Sequence, residues 1–155
     1  MKSVTLCFCF SEGQVLLAMK KRGFGAGKWN GYGGKVLENE TLRSAAVREL
    51  EEESGLVACE EALEQVGLIR FYFDGSQLFE CHVFLARAWR GEPLESEEMK
   101  PRWFPVSQLP LEEMWAADGK WVPLILKGKK LEADVNFNAD GSAVKDFSHR
   151  ERQFS

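Results

Sequence analysis

The sequence has no excess of basic residues and no long apolar run. Its 20 Lys and Arg stand against 24 Asp and Glu, which gives a net charge of −4. A sequence-independent nucleic-acid binder normally carries a basic face, so that class is not favoured. The apolar run near the N-terminus covers only residues 4–10, which is too short to cross a membrane and is not followed by a cleavage site. We therefore expect a cytoplasmic protein without membrane or nucleic-acid partners.

Histidine and cysteine are also scarce. The only histidines, His82 and His149, lie far apart in the chain, and the Cys7-x-Cys9 pair is not followed by a second cysteine pair. A zinc site built from cysteine pairs is therefore not favoured. Alternation along a strand places Cys7 and Cys9 on one face of a sheet, where cysteine packs as a small apolar residue. All four cysteines are expected to be reduced thiols.

The length and composition suit one domain with its own core, since the chain has 155 residues and is 45% hydrophobic. Two apolar stretches, 4–10 and 15–19, predict a hairpin, and the six glycines of 23–34 predict a loop. A helix is predicted over 42–54, with Thr41 as its N-cap and Gly55 at its end. Its capping box is expected to be incomplete, because Ser44 stands where Glu or Gln is usual.

The second half of the chain also mixes strands with helix. Strands are predicted at 65–73 and 78–88, joined by a turn at Asp74-Gly75. A short strand is predicted at 103–106 and part of a second helix at 124–126, after Pro123. A final hairpin is predicted from 131–138 and 143–149. Elements in this order favour an α/β protein with a mixed sheet covered by helices.

Three acidic residues carry the strongest functional signal. Glu49, Glu52 and Glu53 are spaced i, i+3 and i+4, so a helix projects them from one face within about one turn. They lie near the C-terminal end of that helix, where the dipole disfavours negative charge. Three hard oxygen ligands on one face suit Mg²⁺ or Mn²⁺. The alternative is a solvated glutamate-rich face whose charge Arg43 and Arg48 partly offset.

The residues around these acids resemble the Nudix box. That pattern has a glycine, a glutamate, an Arg-Glu pair, a Glu-Glu pair and a closing glycine at set spacings. This chain fills each position, with Gly34, Glu40, Arg48-Glu49, Leu50, Glu52-Glu53, Gly55 and Leu56. The resemblance implies one Nudix hydrolase domain over residues 1–155, with the box at 34–56. It further implies an α/β/α sandwich and a Mg²⁺-dependent hydrolase of nucleoside diphosphate derivatives.

Three segments outside the box narrow the resemblance within the Nudix family. Residues 19–36, 95–104 and 114–124 are similar to members that hydrolyse oxidised purine nucleoside triphosphates. The implied activity is Mg²⁺-dependent hydrolysis of such triphosphates, chiefly 8-oxo-dGTP, to the monophosphate and pyrophosphate by a monomeric enzyme of nucleotide pool sanitation. The alternatives are hydrolysis of a methylated purine triphosphate, a dinucleotide or a capped RNA end, or nucleotide binding without catalysis.

The same resemblance assigns site residues position by position. The metal ligands implied are the Gly34 carbonyl and the side chains of Glu49, Glu52, Glu53 and Glu98. The catalytic residues implied are Arg48, which orients a glutamate, and Glu52, Glu53 and Glu98, any of which could be the general base. The substrate-binding residues implied are Thr5, Lys20, Phe24, Asn30, Gly33, Lys35, Phe71, Phe73, Met99, Trp115 and Asp118. The chain departs from the pattern at Ala117, where the family has a second aspartate beside Asp118.

Each base-binding residue also has a purely structural interpretation. Trp115 could be an ordinary core residue, Asn30 a turn residue before Gly31, and Asp118 the cap of a helix. The chemistry nevertheless suits a purine. Indole and phenyl rings stack on a base, an ionised aspartate accepts from the two donors of a guanine edge, and an amide both donates and accepts.

Overall fold

The computed structural model describes residues 2–154. Within this range the chain forms nine strands and two α-helices. The strands are β1 (Lys2–Ser11), β2 (Gln14–Lys20), β3 (Trp29–Asn30), β4 (Tyr32–Lys35), β5 (Leu63–Phe73), β6 (Ser76–Ala86), β7 (Met99–Pro105), β8 (Leu131–Phe137) and β9 (Val144–Glu151). The helices are α1 (Leu42–Ser54) and α2 (Asp118–Leu126). Short 3-10 turns occupy Glu60–Ala62, Val106–Gln108 and Leu111–Glu113.

The strands join in one mixed sheet. Its order is β3-β2-β1-β6-β5-β8-β9, with β4 paired to β1 and β7 paired to β2. The β1–β6 and β5–β8 pairs are parallel. The three predicted hairpins are the antiparallel pairs β1–β2, β5–β6 and β8–β9, as expected. The mixed sheet predicted from the sequence is therefore confirmed.

The two helices cover opposite faces of this sheet. Alternate residues of β1 point to different cores: Leu6 and Phe8 pack in the cluster that contains α2, and Cys7 and Cys9 pack in the cluster that contains α1. The layers are thus helix, sheet and helix, which confirms the predicted sandwich. Cys7 and Cys9 share one face and are free thiols, as expected.

Helix α1 is closed at both ends by the predicted residues. The Thr41 side chain accepts from the Ser44 backbone N–H at 3.1 Å, and Gly55 ends the helix with φ at 82°. The expectation of an incomplete capping box is wrong. Ser44 Oγ accepts from the Thr41 N–H at 3.0 Å, because a hydroxyl at this position reaches back as a longer carboxylate would.

Most strands begin within two residues of the predicted start, but β7 and α2 begin at least four residues earlier. Strand β7 starts at Met99, since its edge pairs with β2 along the whole of Met99–Pro105. Helix α2 starts at Asp118 and runs through Pro123, because Trp121 and Val122 are buried ahead of the proline and extend the packed face. Of the helices in the described residues, none has the length and apolar character needed to span a membrane.

Candidate active site

Arg48 is the centre of the polar network on the outer face of α1. Its guanidinium donates to both carboxylate oxygens of Glu40, at 2.6 and 2.9 Å, and to Glu49 Oε1 at 2.8 Å. It also donates to Glu52 Oε2 at 3.2 Å and to the Lys35 carbonyl at 3.1 Å. These bonds raise the pKa of Arg48 and lower that of Glu40. Arg48 therefore offsets the repulsion among the acids and fixes where two of them point.

Glu53 faces the backbone of β4 rather than Arg48. Its Oε1 accepts from the Gly33 N–H at 3.0 Å. Burial raises the pKa of Glu53 to about 7, and the negative charges of Glu49 and Glu52 add to the effect, while the Gly33 N–H and Lys20 oppose it. A carboxyl group that exchanges its proton near neutral pH is suited to act as a general base.

The glycines of β4 allow its backbone to approach these acids. A Cβ atom at Gly34 would lie 2.6 to 2.8 Å from the carboxylate atoms of Glu49, and one at Gly33 would lie 1.8 Å from the Thr5 carbonyl oxygen. Any larger residue would therefore push β4 away from α1 or from β1. The close approach leaves the Gly34 backbone beside the acidic face.

The donor set at this face fits a hard divalent cation. Three carboxylates and a neighbouring backbone carbonyl provide oxygen ligands of the kind that Mg²⁺ prefers. Within residues 2–154, however, no three acidic, histidine or cysteine side chains are already gathered around one point. Glu49 and Glu52 each give one carboxylate oxygen to Arg48, and Glu53 gives one to Gly33, so the predicted ligand set would use the second oxygen of each carboxylate.

Glu98 pairs with an arginine just after β2 and not with Arg48. It is exposed in the segment before β7, and its Oε1 pairs with Arg22 Nη2 at 3.3 Å. Its backbone carbonyl accepts from the Lys21 N–H at 2.8 Å. The structure therefore couples Glu98 to the basic run at the end of β2, and its role as a metal ligand or base stays a prediction.

Asp118 lies at the start of α2 and is only 4% exposed. Its Oδ2 accepts from the Trp115 N–H at 3.1 Å. Burial raises the pKa of Asp118 to about 7, and that hydrogen bond and the charge of Lys28 oppose the rise. The carboxylate therefore changes its charge near neutral pH, within a largely apolar environment. It is not a helix cap, since it is already the first helical residue and bonds to a preceding N–H.

Trp115, whose backbone N–H bonds to Asp118, carries an indole that contacts a second aromatic ring. Trp115 is half-buried, and the ring of Phe24 lies over it with the centroids 5.2 Å apart. Phe24 itself is 82% exposed, on a loop whose Gly25 approaches the indole closely. An exposed aromatic ring beside a half-buried indole provides the flat apolar surfaces that a nucleobase stacks on.

A second aromatic group lies on the same face of the sheet. Phe71 contacts Phe79 at 5.1 Å and Phe137 at 6.0 Å between ring centroids, and Phe73 contacts Phe137 at 5.1 Å. Phe71 and Phe73 both pack against the cluster that contains α2. Phe137 was not predicted as a site residue, because only the parallel pairing of β5 with β8 brings it beside Phe71 and Phe73.

Other predicted substrate residues lie on the opposite face. Thr5 shares the face of β1 that carries Cys7, and Met99 packs in the cluster that contains α1. Lys20, the strand partner of Met99, has its charge close enough to Glu53 to lower the pKa of that carboxyl. The structure thus places Lys20 beside the acids and does not bring Thr5 or Met99 to the Phe71 side of the sheet.

Asn30 and Lys35 make hydrogen bonds within the protein that involve the backbone. Asn30 Oδ1 accepts from the Gly31 N–H at 2.8 Å, as expected of a residue before a turn. The Lys35 carbonyl accepts from Arg48, and the Lys35 side chain is exposed. Ala117 is fully buried in the cluster that contains α2, so the position of the missing second aspartate is here part of the core.

Tyr32 has a buried hydroxyl beneath the acidic face. The residue is 1% exposed, and within the described residues its hydroxyl has no hydrogen-bond partner. Burial raises its pKa, and the charges of Cys9 and Glu53 add to the effect. An unpaired buried hydroxyl loses its hydration without compensation, so it destabilises the folded state.

Tyr32→Phe is therefore expected to stabilise the metal-free protein by about 1 kcal/mol, since it removes the unpaired group and keeps the ring. Denaturant unfolding in the presence of EDTA measures the change. Tyr72→Phe is the matched control, because the Tyr72 hydroxyl donates to Asp134 Oδ1 at 3.1 Å and its loss should not stabilise. Equal losses of stability in the two variants would contradict the unpaired state of Tyr32.

Known proteins resemble this chain over most of its length. The profile of the NUDIX domain matches residues 1–125. The oxidized purine nucleoside triphosphate hydrolase of Danio rerio is 51% identical over 130 residues, covering 83% of this chain and 82% of the relative. The protein of the same name from Mus musculus is 47% identical over 148 residues, covering 95% of this chain and 93% of the relative.

The fold has a close counterpart among solved structures. The crystal structure of a MutT protein from Bacillus halodurans matches with a TM-score of 0.80 and 26% identity, covering 96% of this chain and 97% of the other. The domain profile, the two animal relatives and the spacing from Gly34 to Leu56 agree with one another. The chain belongs to the Nudix family.

Proposed function

We propose that this protein is a Mg²⁺-dependent pyrophosphohydrolase of oxidised purine nucleoside triphosphates, chiefly 8-oxo-dGTP, which it converts to the monophosphate and pyrophosphate. The observation that carries the proposal is the buried Asp118 beside Trp115, in a chain 47% identical over 148 residues to an oxidized purine nucleoside triphosphate hydrolase. The cytoplasmic location and the monomeric state expected from the sequence stay predictions.

The acidic face would hold the cation. Nudix proteins typically depend on a divalent metal, and the ligands here would be the Gly34 carbonyl, Glu49, Glu52 and Glu53, with Glu98 added from its loop. Mn²⁺ suits the same oxygen ligands. A bound cation of this kind supplies neutralisation of the phosphate charge and a lower pKa for water.

The chain's own residues would perform the proton transfer and the positioning. Glu53, whose pKa is about 7, would take a proton from the attacking water. Arg48 would keep Glu49 and Glu52 aimed at one side of α1, since it contacts both. Lys20, whose charge lowers the pKa of Glu53, would hold its ammonium beside the phosphates.

The base would be read at the start of α2, where Asp118 and Trp115 meet. An ionised Asp118 offers two acceptor oxygens, which match the adjacent N1–H and N2–H donors of an oxidised guanine. The purine would stack on Trp115, with Phe24 at the edge of the stack. Asn30 would meet a base carbonyl and donor after releasing the Gly31 N–H.

Steady-state turnover across normal and modified deoxynucleoside triphosphates tests the proposal. With Mg²⁺, 8-oxo-dGTP should show the highest kcat/KM, pyrophosphate should be the released product, and EDTA should abolish turnover. A methylated purine triphosphate, a dinucleotide or a capped RNA end turned over faster would place the protein elsewhere in the family. Binding without any turnover would identify a non-catalytic module.

Trp115→Ala is expected to raise KM for 8-oxo-dGTP roughly 5- to 150-fold, because one base stack contributes about 1–3 kcal/mol. The maximal rate should change much less, since the acidic face is untouched. Trp89→Ala is the matched control, because Trp89 stacks on Trp103 against the cluster that contains α1. An unchanged KM in Trp115→Ala would place the indole outside the substrate pocket.

A further inference from the structure

Lys28 lies over the indole of Trp115. It ends the glycine-rich loop immediately before β3, it is half-buried, and its Nζ lies 5.3 Å from the centroid of the ring. A lysine ammonium at this distance from an indole face is held by a cation–π interaction. The backbone N–H of the same tryptophan donates to Asp118. Lys28, Trp115 and Asp118 therefore form one connected group.

Two titratable side chains from other elements face Asp118. Lys28 approaches from the loop and favours the ionised carboxylate. Cys81 approaches from β6, and burial together with the charge of Asp118 raises the pKa of its thiol to about 12. The thiol is therefore neutral at working pH, and Lys28 provides the cation that stabilises the charge of Asp118.

Substrate binding would make this cation more important. A purine that stacks on Trp115 covers the small part of Asp118 that still meets water, which further disfavours the charged carboxylate. A nearby ammonium in a water-poor pocket interacts more strongly than it would in bulk water. The protonation state of Asp118 decides which base edge fits, because the ionised form only accepts and the protonated form also donates.

We infer that Lys28 is a specificity-determining residue, an inference that rests on the proposed function. Lys28 keeps Asp118 ionised while the purine is bound, and it thereby selects base edges with two adjacent N–H donors. In this role it acts through Asp118 and need not touch the base. The competing interpretation is that Lys28 only packs against Trp115. Lys28→Met separates the two, since methionine keeps an unbranched side chain over the indole and removes the charge.

The test measures binding of the monophosphates 8-oxo-dGMP and 8-oxo-dAMP by calorimetry in EDTA, from pH 6 to 9. The guanine edge presents two donors, whereas the adenine edge presents a donor and an acceptor. Lys28→Met should weaken 8-oxo-dGMP binding at pH 7.5 by about 3-fold if the pKa of Asp118 rises by one unit from about 7, and by a factor that approaches about 10-fold for each further unit. The loss should recover at high pH, and 8-oxo-dAMP should bind as tightly as before or more tightly.

Two variants control for charge and for position. Lys28→Arg keeps the cation and should retain the wild-type pH profile. Lys120→Met removes an exposed charge from α2, two residues from Asp118, and should also leave the profile unchanged. Superimposable profiles for Lys28→Met and the wild type would overturn the inference and support simple packing.

A direct titration distinguishes this inference from the proposed function. Carbon-detected NMR of the Asp118 carboxyl in the free protein should show a more alkaline midpoint in Lys28→Met than in the wild type or Lys28→Arg. An unchanged midpoint in a folded Lys28→Met protein overturns the coupling between Lys28 and Asp118. If the midpoint moves but the wild type binds and hydrolyses no oxidised purine nucleotide, the proposed function fails while the coupling stands.

Discussion

Replacing Glu53 by Gln is expected to abolish most turnover and to leave the fold intact. The amide oxygen can still accept from the Gly33 N–H, which the carboxylate accepts from at 3.0 Å. The amide has no negative charge for a cation and takes no proton from water. Loss of a general base lowers rates by about 10²–10⁴-fold, and steady-state kcat with Mg²⁺ and 8-oxo-dGTP should fall by at least that much.

Glu51→Gln is the matched control for this substitution. Glu51 is exposed on the same helix but lies off the face shared by Glu49, Glu52 and Glu53, so its charge should matter little. Near wild-type activity of Glu53→Gln with Mg²⁺ would contradict the assignment of the acidic face. Unfolding of the variant would instead identify Glu53 as a structural residue.

The same variant should remove a pH dependence of stability in the metal-free protein. The pKa of Glu53 rises from 4.5 to about 7 on folding, so between these values the folded state binds more protons than the unfolded chain. The contribution of Glu53 to the free energy of unfolding therefore decreases as pH rises through this window. Denaturant unfolding in EDTA should show Glu53→Gln more stable than the wild type at pH 8, with the difference shrinking toward pH 4.

Elements with local signals were predictable from the sequence. Helix α1 runs between Thr41 and Gly55 as expected, because a cap and a left-handed glycine act within a few residues. The start of α2 was not predictable in this way, since Pro123 signals a boundary locally. The burial of Trp121 and Val122 against the sheet outweighs that signal, and such burial depends on distant strands.

The residues of the candidate site also differ in how far the sequence could predict them. The spacing of Glu49, Glu52 and Glu53 follows from helix periodicity and could be predicted. The contact of Lys28 with Trp115 joins positions that are far apart in the chain, and no periodic pattern relates them. The separation of Thr5 from Phe71 depends on which sheet face each side chain takes, and a family resemblance does not supply that information.

Asp118→Asn is expected to impair recognition of 8-oxo-dGTP far more than it affects the fold. Asparagine has nearly the same shape, and its amide oxygen can accept from the Trp115 N–H. It offers the guanine edge one acceptor and one donor, so one base donor faces another donor. A hydrogen bond to a charged group contributes about 1.5–3 kcal/mol, so the loss of charge and of one acceptor should lower kcat/KM roughly 10²-fold.

The pH dependence separates base recognition from a structural role of Asp118. In the wild type, binding of 8-oxo-dGMP in EDTA, which needs no general base, should strengthen through pH about 7 as Asp118 ionises, and Asp118→Asn should lack that rise. Asp146→Asn, on the exposed side of β9, serves as the control. A purely structural role of Asp118 predicts the opposite pH dependence. Because burial raises the pKa of Asp118, its contribution to the free energy of unfolding decreases as pH rises from 3.8 to about 7. Retention in Asp118→Asn of wild-type kcat/KM, and of the rise in 8-oxo-dGMP binding near pH 7, would show that another group, such as Asn30, reads the purine edge.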